Sequence, residues 1–512
     1  MKLKAIIFIL FNGLFSAGLL DLSFPSGLNS SIAPSTAVKG IIVYTDSVIR
    51  DYSNIGIGIS LNPFTEHGGI VRTRSFSEAA MEMKLKSLRW PEGELGESIL
   101  WSLPPYKTSN LSSTMRGGVW PYNNTTVFDT VTGKPKPMLN FDQFIGLCRQ
   151  IGAEPFVIIP IDAVQKPDGV HSYVSEEEIL RNAVEMVRYS KAKGYKVKYW
   201  EIGNENDLEV SGTKSKQRWQ ASDYANFVAK ISRLMKAQDS EIYIGANGMT
   251  TMAWWETVLK TASAEIDFLV THQYYNSKGT KILSDGNWYD NYRIGLSKKW
   301  NFIQNITNAG RAIDQFAPEK DKKRLKIAVT ETSAYSGEGD IAYYPEKNNF
   351  GASLITFETM GEMLANPRML YAHYWTSHWF GKSSIHNALG PDNEILPTGR
   401  AIQLWNEAIL KNRVKATLND YSLPEDNSIY AFCDGSKLNI LLVNRGETPA
   451  SIPLQFKNWN GKNKSTKRIV QFKGTGPEDS TPSYGQIADL KTDMNGTLEV
   501  SIPPYSITLL SF

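Results

Sequence analysis

Between Ile55 and Ile409 the chain switches eight times between a short, continuously apolar segment and a longer segment with helical spacing. The apolar segments are 55–61, 87–90, 154–159, 197–200, 242–245, 266–271, 326–329 and 369–374. The helical ones are 76–85, 141–152, 175–194, 222–237, 254–262, 301–315, 354–365 and 401–409. In the first of these, Phe76, Ala80 and Met83 share a face. Ser75 with Glu78, and Ser175 with Glu178, have the spacing of helix starts. A strand that is apolar without alternation must be covered on both faces, as in a parallel sheet under helices. Eight such units close into a (β/α)8 barrel, which needs roughly 250 residues or more. The fold class expected is therefore α/β, a TIM barrel, spanning 51–410.

Beyond residue 411 the pattern changes. Short alternating segments such as Ile429–Phe432, Leu438–Val443, Lys467–Phe472 and Thr497–Ile502 are separated by Gly, Asn and Pro turns. They predict a C-terminal β-sandwich over 411–512. Ile41–Tyr44 is an early strand outside the repeat, expected to pair into that sandwich, with 21–50 as leader and strand. Residues 1–20 read as a signal peptide: Lys2 and Lys4 precede the apolar run from Ala5 to Leu10, and Ser16, Ala17 and Gly18 suit cleavage. The chain is expected to be exported, secreted or periplasmic, without a membrane span in its mature form.

The formal net charge of +3 comes with no basic stripe, which argues against a nucleic-acid partner. Cys148 and Cys433, far apart and in different domains, read as free thiols, and no metal or organic cofactor is implied. The chemistry lies at two strand ends. Tyr199-Trp200-Glu201-Ile202-Gly203-Asn204-Glu205-Asn206 runs from the fourth strand into an Asn-Glu pair, and Lys326–Val329 runs into Thr330-Glu331. Barrel enzymes build their sites at the C-terminal ends of strands. Glu205 and Glu331 would meet there as a pair of carboxyls suited to glycoside hydrolysis. Glu201 is expected to point away from the site and to make a structural ion pair.

Glu201-Ile-Gly-Asn-Glu205-Asn206 resembles the acid/base signature of the clan A retaining (β/α)8 glycoside hydrolases, nearest to the family 51 α-L-arabinofuranosidases, with family 39 nearby. Leu88-Arg89-Trp90-Pro91-Glu92-Gly93 resembles that family's Arg-aromatic-Pro-Gly-Gly, departing from it at Glu92. Ile151–Pro155, His272-Gln-Tyr274-Tyr275 and Thr330-Glu331 resemble further segments of the family in the same order. The resemblance implies Glu205 as general acid and then base, with a raised pKa, and Glu331 as nucleophile. It implies substrate-binding or supporting roles for Asn204 at a sugar 2-hydroxyl, for Tyr274 and Arg89 at Glu331, and for His272. Trp375, just past the eighth strand, is a candidate stacking platform; Trp101, Trp120 and Trp379 are candidates for outer subsites.

The implied partner is a carbohydrate, in the first place an α-L-arabinofuranoside. The long aromatic loop from Gly96 to Asn124 opens a second reading, an endo-acting hydrolase of a β-linked polysaccharide such as xylan, agar or a related galactan. A third is a catalytically inactive carbohydrate-binding protein, which the presence of both Glu205 and Glu331 argues against.

Overall fold

A computed structural model of the chain describes residues 40–53, 55–101, 113–115, 131, 136–162, 175–208, 219–249, 251–275, 288–297, 302–335, 345, 347–379, 385–419, 423, 425–459, 466–488 and 497–512. The segments 1–39 and most of the 96–124 loop, with Trp120, lie outside these residues.

Eight parallel strands form a closed barrel: Gly56–Ser60, Ser87–Trp90, Glu154–Ile159, Tyr199–Ile202, Tyr243–Asn247, Phe268–His272, Lys326–Thr332 and Met369–Tyr374, the last pairing back to the first. Helices expected from the periodicity cover it, including Phe76–Glu82, Phe141–Ile151, Glu176–Ala192 and Ala221–Lys236. Ser75 and Glu78 form a reciprocal cap, and Ser175 accepts from the Glu178 N–H. Alternation along each strand divides the side chains into two sets. Trp200 and Ile202 face outward into the barrel–helix core with Phe141 and Val228. Inside, a floor of aromatics closes the barrel: Phe156 stacks on Tyr199 at 4.5 Å and meets Tyr371 edge-on at 5.0 Å. Above that floor the interior turns polar, because Arg89, Glu201, Asn247 and Thr330 all face inward and are buried.

Ile99–Trp101 pairs with Ser113–Met115 as a small two-stranded sheet, and nine further strands form one hydrogen-bonded sheet rather than two. Its order is Ser483–Ile487, Arg468–Lys473, Ser506–Ser511, Lys437–Asn444, Asn427–Asp434, Asn412–Asn419, Gly40–Asp51, Ala450–Lys457, Leu498–Ile502. The early strand joins what would otherwise be two halves, antiparallel to Asn412–Asn419 and parallel to Ala450–Lys457. The sheet curls into a sandwich-like shell, so that Ile452 and Val500 near one end share a core with Ile469 and Leu510 near the other. Its other face packs on the barrel. Leu441 and Val443 belong to the barrel core, whereas Ile440 and Leu442 belong to the shell. This two-sided burial is why Leu438–Val443 reads as unbroken apolar sequence. Trp405 stacks on Phe357 at 4.5 Å and meets Tyr430 of the sheet at 4.8 Å. Arg445 of the sheet pairs with buried Glu358 at 2.7 Å.

Candidate active site

The fourth strand ends in a turn that only a particular backbone permits. Gly203 has φ 78°, and a Cβ there would sit 2.0 Å from Asn206 Oδ1, so glycine is required. Glu205 itself has φ 50°, the left-handed region that non-glycine residues rarely occupy. Its side chain is 21% exposed and projects toward the barrel mouth, where Glu205 Oε1 lies 2.8 Å from His272 Nδ1.

Glu331 arrives differently, from within the seventh strand. Pairing with both neighbours shifts register after Val329. Such an irregularity re-aims side chains. Thr330 therefore reaches Glu201 (3.3 Å), while the next residue also faces the interior. Glu331 Oε1 accepts from Arg89 Nη1 at 2.8 Å and Oε2 accepts from the Tyr274 hydroxyl at 2.7 Å. His272 Nδ1 lies 3.4 Å from the same Oε2. One oxygen of each carboxyl and a ring nitrogen of His272 fall within 4.8 Å of one another, a spacing that could also hold a metal ion.

Arg89 sits under the pair, fully buried. Its Nε and Nη2 make a bidentate contact with Glu201 (2.9 and 2.7 Å), Nη2 also donates to Asn204 Oδ1 at 2.7 Å, and Nη1 reaches Glu331. Burial opposes the guanidinium charge, but Glu201 and Glu331 outweigh it and raise its pKa. The expectation that Glu201 points away is thus corrected. The expected ion pair exists, but its partner is Arg89, and it runs straight beneath Glu331. Strand alternation explains this, since Glu201 shares the inward face with Tyr199.

Burial lowers the His272 pKa, yet Glu331 and then Glu205 more than compensate, so it is raised. Burial foremost, with Glu331 next, pushes the Tyr274 hydroxyl well above its ordinary range and keeps it a donor. Glu92 is buried and also raised, by desolvation first and then by Glu331. Gly93 beside it approaches Glu331 so closely that a Cβ would lie 2.0 Å from Oε1. Trp375 is half-buried at the mouth, edge-on to Tyr274 at 6.3 Å and 4.6 Å from Trp379. Trp101 is not sugar-facing: it is buried against Tyr189 at 5.3 Å, where Asn182 of the helix Glu176–Ala192 donates to its backbone carbonyl.

The structure thus gathers Glu205, Glu331, Asn204, Arg89, His272 and Tyr274 in one network, with Trp375 alongside Tyr274. Sequence reasoning passed over Glu97, which lies in a helical turn at Glu94–Ser98 and is buried. Burial first and Asp162 second push its carboxyl up to about 8, against the N–H groups that favour its charge. An acidic residue in a Gly-rich stretch looks like a solvated charge, so no local signal marked it.

Residues 122–343 match the family model described as glycosyl hydrolase family 79, N-terminal domain. Over 119 residues the chain is 33% identical to an intracellular exo-α-(1→5)-L-arabinofuranosidase of Bifidobacterium longum; this is 22% of the chain and 20% of the relative's length. The α-L-arabinofuranosidase of Thermotoga maritima, solved with arabinose, superposes with TM-score 0.65 at 19% identity, covering 93% of this chain and all of that one. A family 44 xyloglucanase of Paenibacillus polymyxa superposes with TM-score 0.61 at 14% identity, covering 92% of this chain and 98% of that one. At such identities these two likenesses speak for the fold. The closed barrel and the family match over residues 122–343 make this chain similar to the (β/α)8 glycoside hydrolases.

Proposed function

We propose that the protein is a retaining glycoside hydrolase that cleaves α-L-arabinofuranosides by double displacement. The observation that carries the mechanism is the closeness of the Glu205 and Glu331 oxygens, within 4.8 Å. Retaining enzymes keep the two carboxyl groups about 5–5.5 Å apart; inverting ones leave room for a water at about 6.5–9.5 Å. Glu331, held by Arg89 and Tyr274, attacks the anomeric carbon and forms a glycosyl-enzyme, while Glu205 passes a proton to the departing oxygen. Glu205 then takes a proton from the water that attacks the same carbon and frees Glu331. His272 Nδ1, within reach of both carboxyls, links their proton states. Arg89 and Tyr274 each donate to a different oxygen of Glu331 and so fix the carboxylate's orientation. The half-buried Trp375 offers a ring face for the sugar.

The sugar assignment is supported by the sequence match to the Bifidobacterium exo-acting enzyme. It is tested by a panel of aryl glycosides, α-L-arabinofuranosides beside β-D-xylosides, with the anomer first released read by NMR. An α-L-arabinose product supports the proposal; an inverted product overturns the mechanism, and cleavage of xylosides alone overturns the substrate. Export to the periplasm or medium, proposed on Lys2, Lys4 and the apolar run after them, is tested by fractionation and N-terminal sequencing of the mature chain.

A further inference from the structure

The turn that carries Glu205 is tied down from the far side of the barrel wall. Glu97 Oε1 accepts from the Asn204 backbone N–H at 2.6 Å and from the Asn206 side-chain amide at 3.0 Å. Its Oε2 accepts from the backbone N–H groups of Ile161 and Asp162, at 2.6 and 3.0 Å. One carboxyl thus joins the end of the third barrel strand to the residues on either side of Glu205. Asn206 completes the tie, because its amide nitrogen also donates to Asp162 Oδ1 at 2.7 Å, and Trp219 Nε1 reaches the same oxygen at 3.0 Å. Asn206 and Glu97 are both buried.

We infer that Glu97 is a positioning residue for the general acid: it holds the Asn204–Asn206 turn in the conformation that aims Glu205 at the departing oxygen. A left-handed backbone at a glutamate persists only where its surroundings over-determine it. At Glu205 the neighbours on both sides are fixed by the same carboxyl, whereas the contacts of Glu331 with Arg89 and Tyr274 involve no atom of Glu97. The clamp therefore acts directly on the acid and reaches the nucleophile only through Asn204 Oδ1 and Arg89, whose guanidinium is also held by Glu201. This inference rests on the glycosidase reading above.

The experiment compares wild type with Glu97→Gln and Glu97→Asp in the full chain, using dinitrophenyl and phenyl α-L-arabinofuranosides, or the corresponding β-D-xylosides if wild type prefers them. The dinitrophenyl group leaves without a proton; the phenyl group needs one. Glu97→Gln keeps the shape but sets an amide NH2 against N–H donors, so the turn is disturbed while the core stays filled. A misplaced acid is expected to cost Glu97→Gln about 100-fold in kcat on the phenyl glycoside and less than about threefold on the dinitrophenyl one, the span of a general-acid contribution. KM should change little, and Glu97→Asp should recover part of the loss. Thermal melts establish that each variant is folded; if Glu97→Gln does not fold, the same pair of substrates is read in Asn206→Ala, which removes only the side-chain half of the tie. Equal losses on both leaving groups, or no loss on either, overturn the positioning role. A wild-type chain that cleaves no aryl glycoside overturns the glycosidase reading itself, an outcome distinct from an active wild type whose leaving-group dependence Glu97→Gln leaves unchanged.

Discussion

The two carboxylates at the barrel mouth are held in opposite ways. Glu331 belongs to a strand, is only 7% exposed in its side chain, and is fixed by side-chain donors from two other strand ends, Arg89 and Tyr274. Glu205 lies beyond its strand, is three times as exposed, and, apart from the His272 contact of its side chain, is fixed through the backbone of its own turn, by Gly203, Asn206 and Glu97. The difference follows from what each has to do. A nucleophile must stay charged and aligned with one carbon, which charge-assisted contacts from below supply. An acid that becomes a base must change its proton, which requires contact with solvent and fewer fixed partners.

The comparison breaks most decisively at the carboxylates themselves. Glu331→Ala is expected to lower kcat by about 10⁴-fold or more on every aryl glycoside, since no covalent intermediate forms. Glu205→Ala is expected to cost about 10²–10⁴-fold only where the leaving group needs a proton, with azide restoring turnover. Steady-state kinetics across leaving groups checks both; identical profiles for the two variants would erase the distinction. Next in size is Arg89→Met. It leaves Glu201 and Glu331 buried without their cation, a loss of about 3–5 kcal/mol in stability by denaturant unfolding, together with failure of the nucleophile. A variant of unchanged stability would show that the charges are compensated elsewhere.

Gly203→Ala attacks the other side. The φ of 78° and the close approach to Asn206 predict a loss of about 1–3 kcal/mol, and a rate defect confined to poor leaving groups. Tyr274→Phe removes one hydrogen bond to a charged oxygen and should lower kcat about tenfold or somewhat more, on good and poor leaving groups alike. The smallest effect is on pH dependence. His272 is raised above its ordinary 6.5 in the fold, so the stability it contributes is complete below about pH 6.5 and is lost as pH rises through the folded value. Melting temperature should therefore fall over that interval, and His272→Gln should flatten the fall; a steeper dependence in the variant would contradict the sign.

Much of this was open to reading in the linear chain. The eight apolar runs announced strands covered on both faces, and Glu205 and Glu331 stood at the ends of two of them. The position of Gly203 inside the first signature has a physical reason as well, a turn no Cβ would fit. Other features were closed to such reading. Glu97 contacts Asn204 across 107 residues, and Arg89 contacts Glu331 across 242. Glu201 looked like a bystander because distance along the strand from Glu205 says nothing about which face it shares with Arg89. Trp101 looked like a candidate for an outer subsite because its burial depends on a helix some eighty residues later. The strand near Ile41 was legible as a partner of the C-terminal strands, but its place between Asn412–Asn419 and Ala450–Lys457, which makes one curled sheet, was not.

What the sequence alone determined was periodicity and punctuation: where strands and helices run, where they end, and which two carboxyls lie at strand ends. These are local properties, written in side chains a few residues apart. What only the tertiary structure decided was which charge meets which. Arg89 beneath Glu201 and Glu331, and Glu97 beneath the turn of Glu205, are encounters between segments far apart in sequence. They are fixed by barrel closure and by a register shift after Val329, and both depend on how all eight strands pack at once.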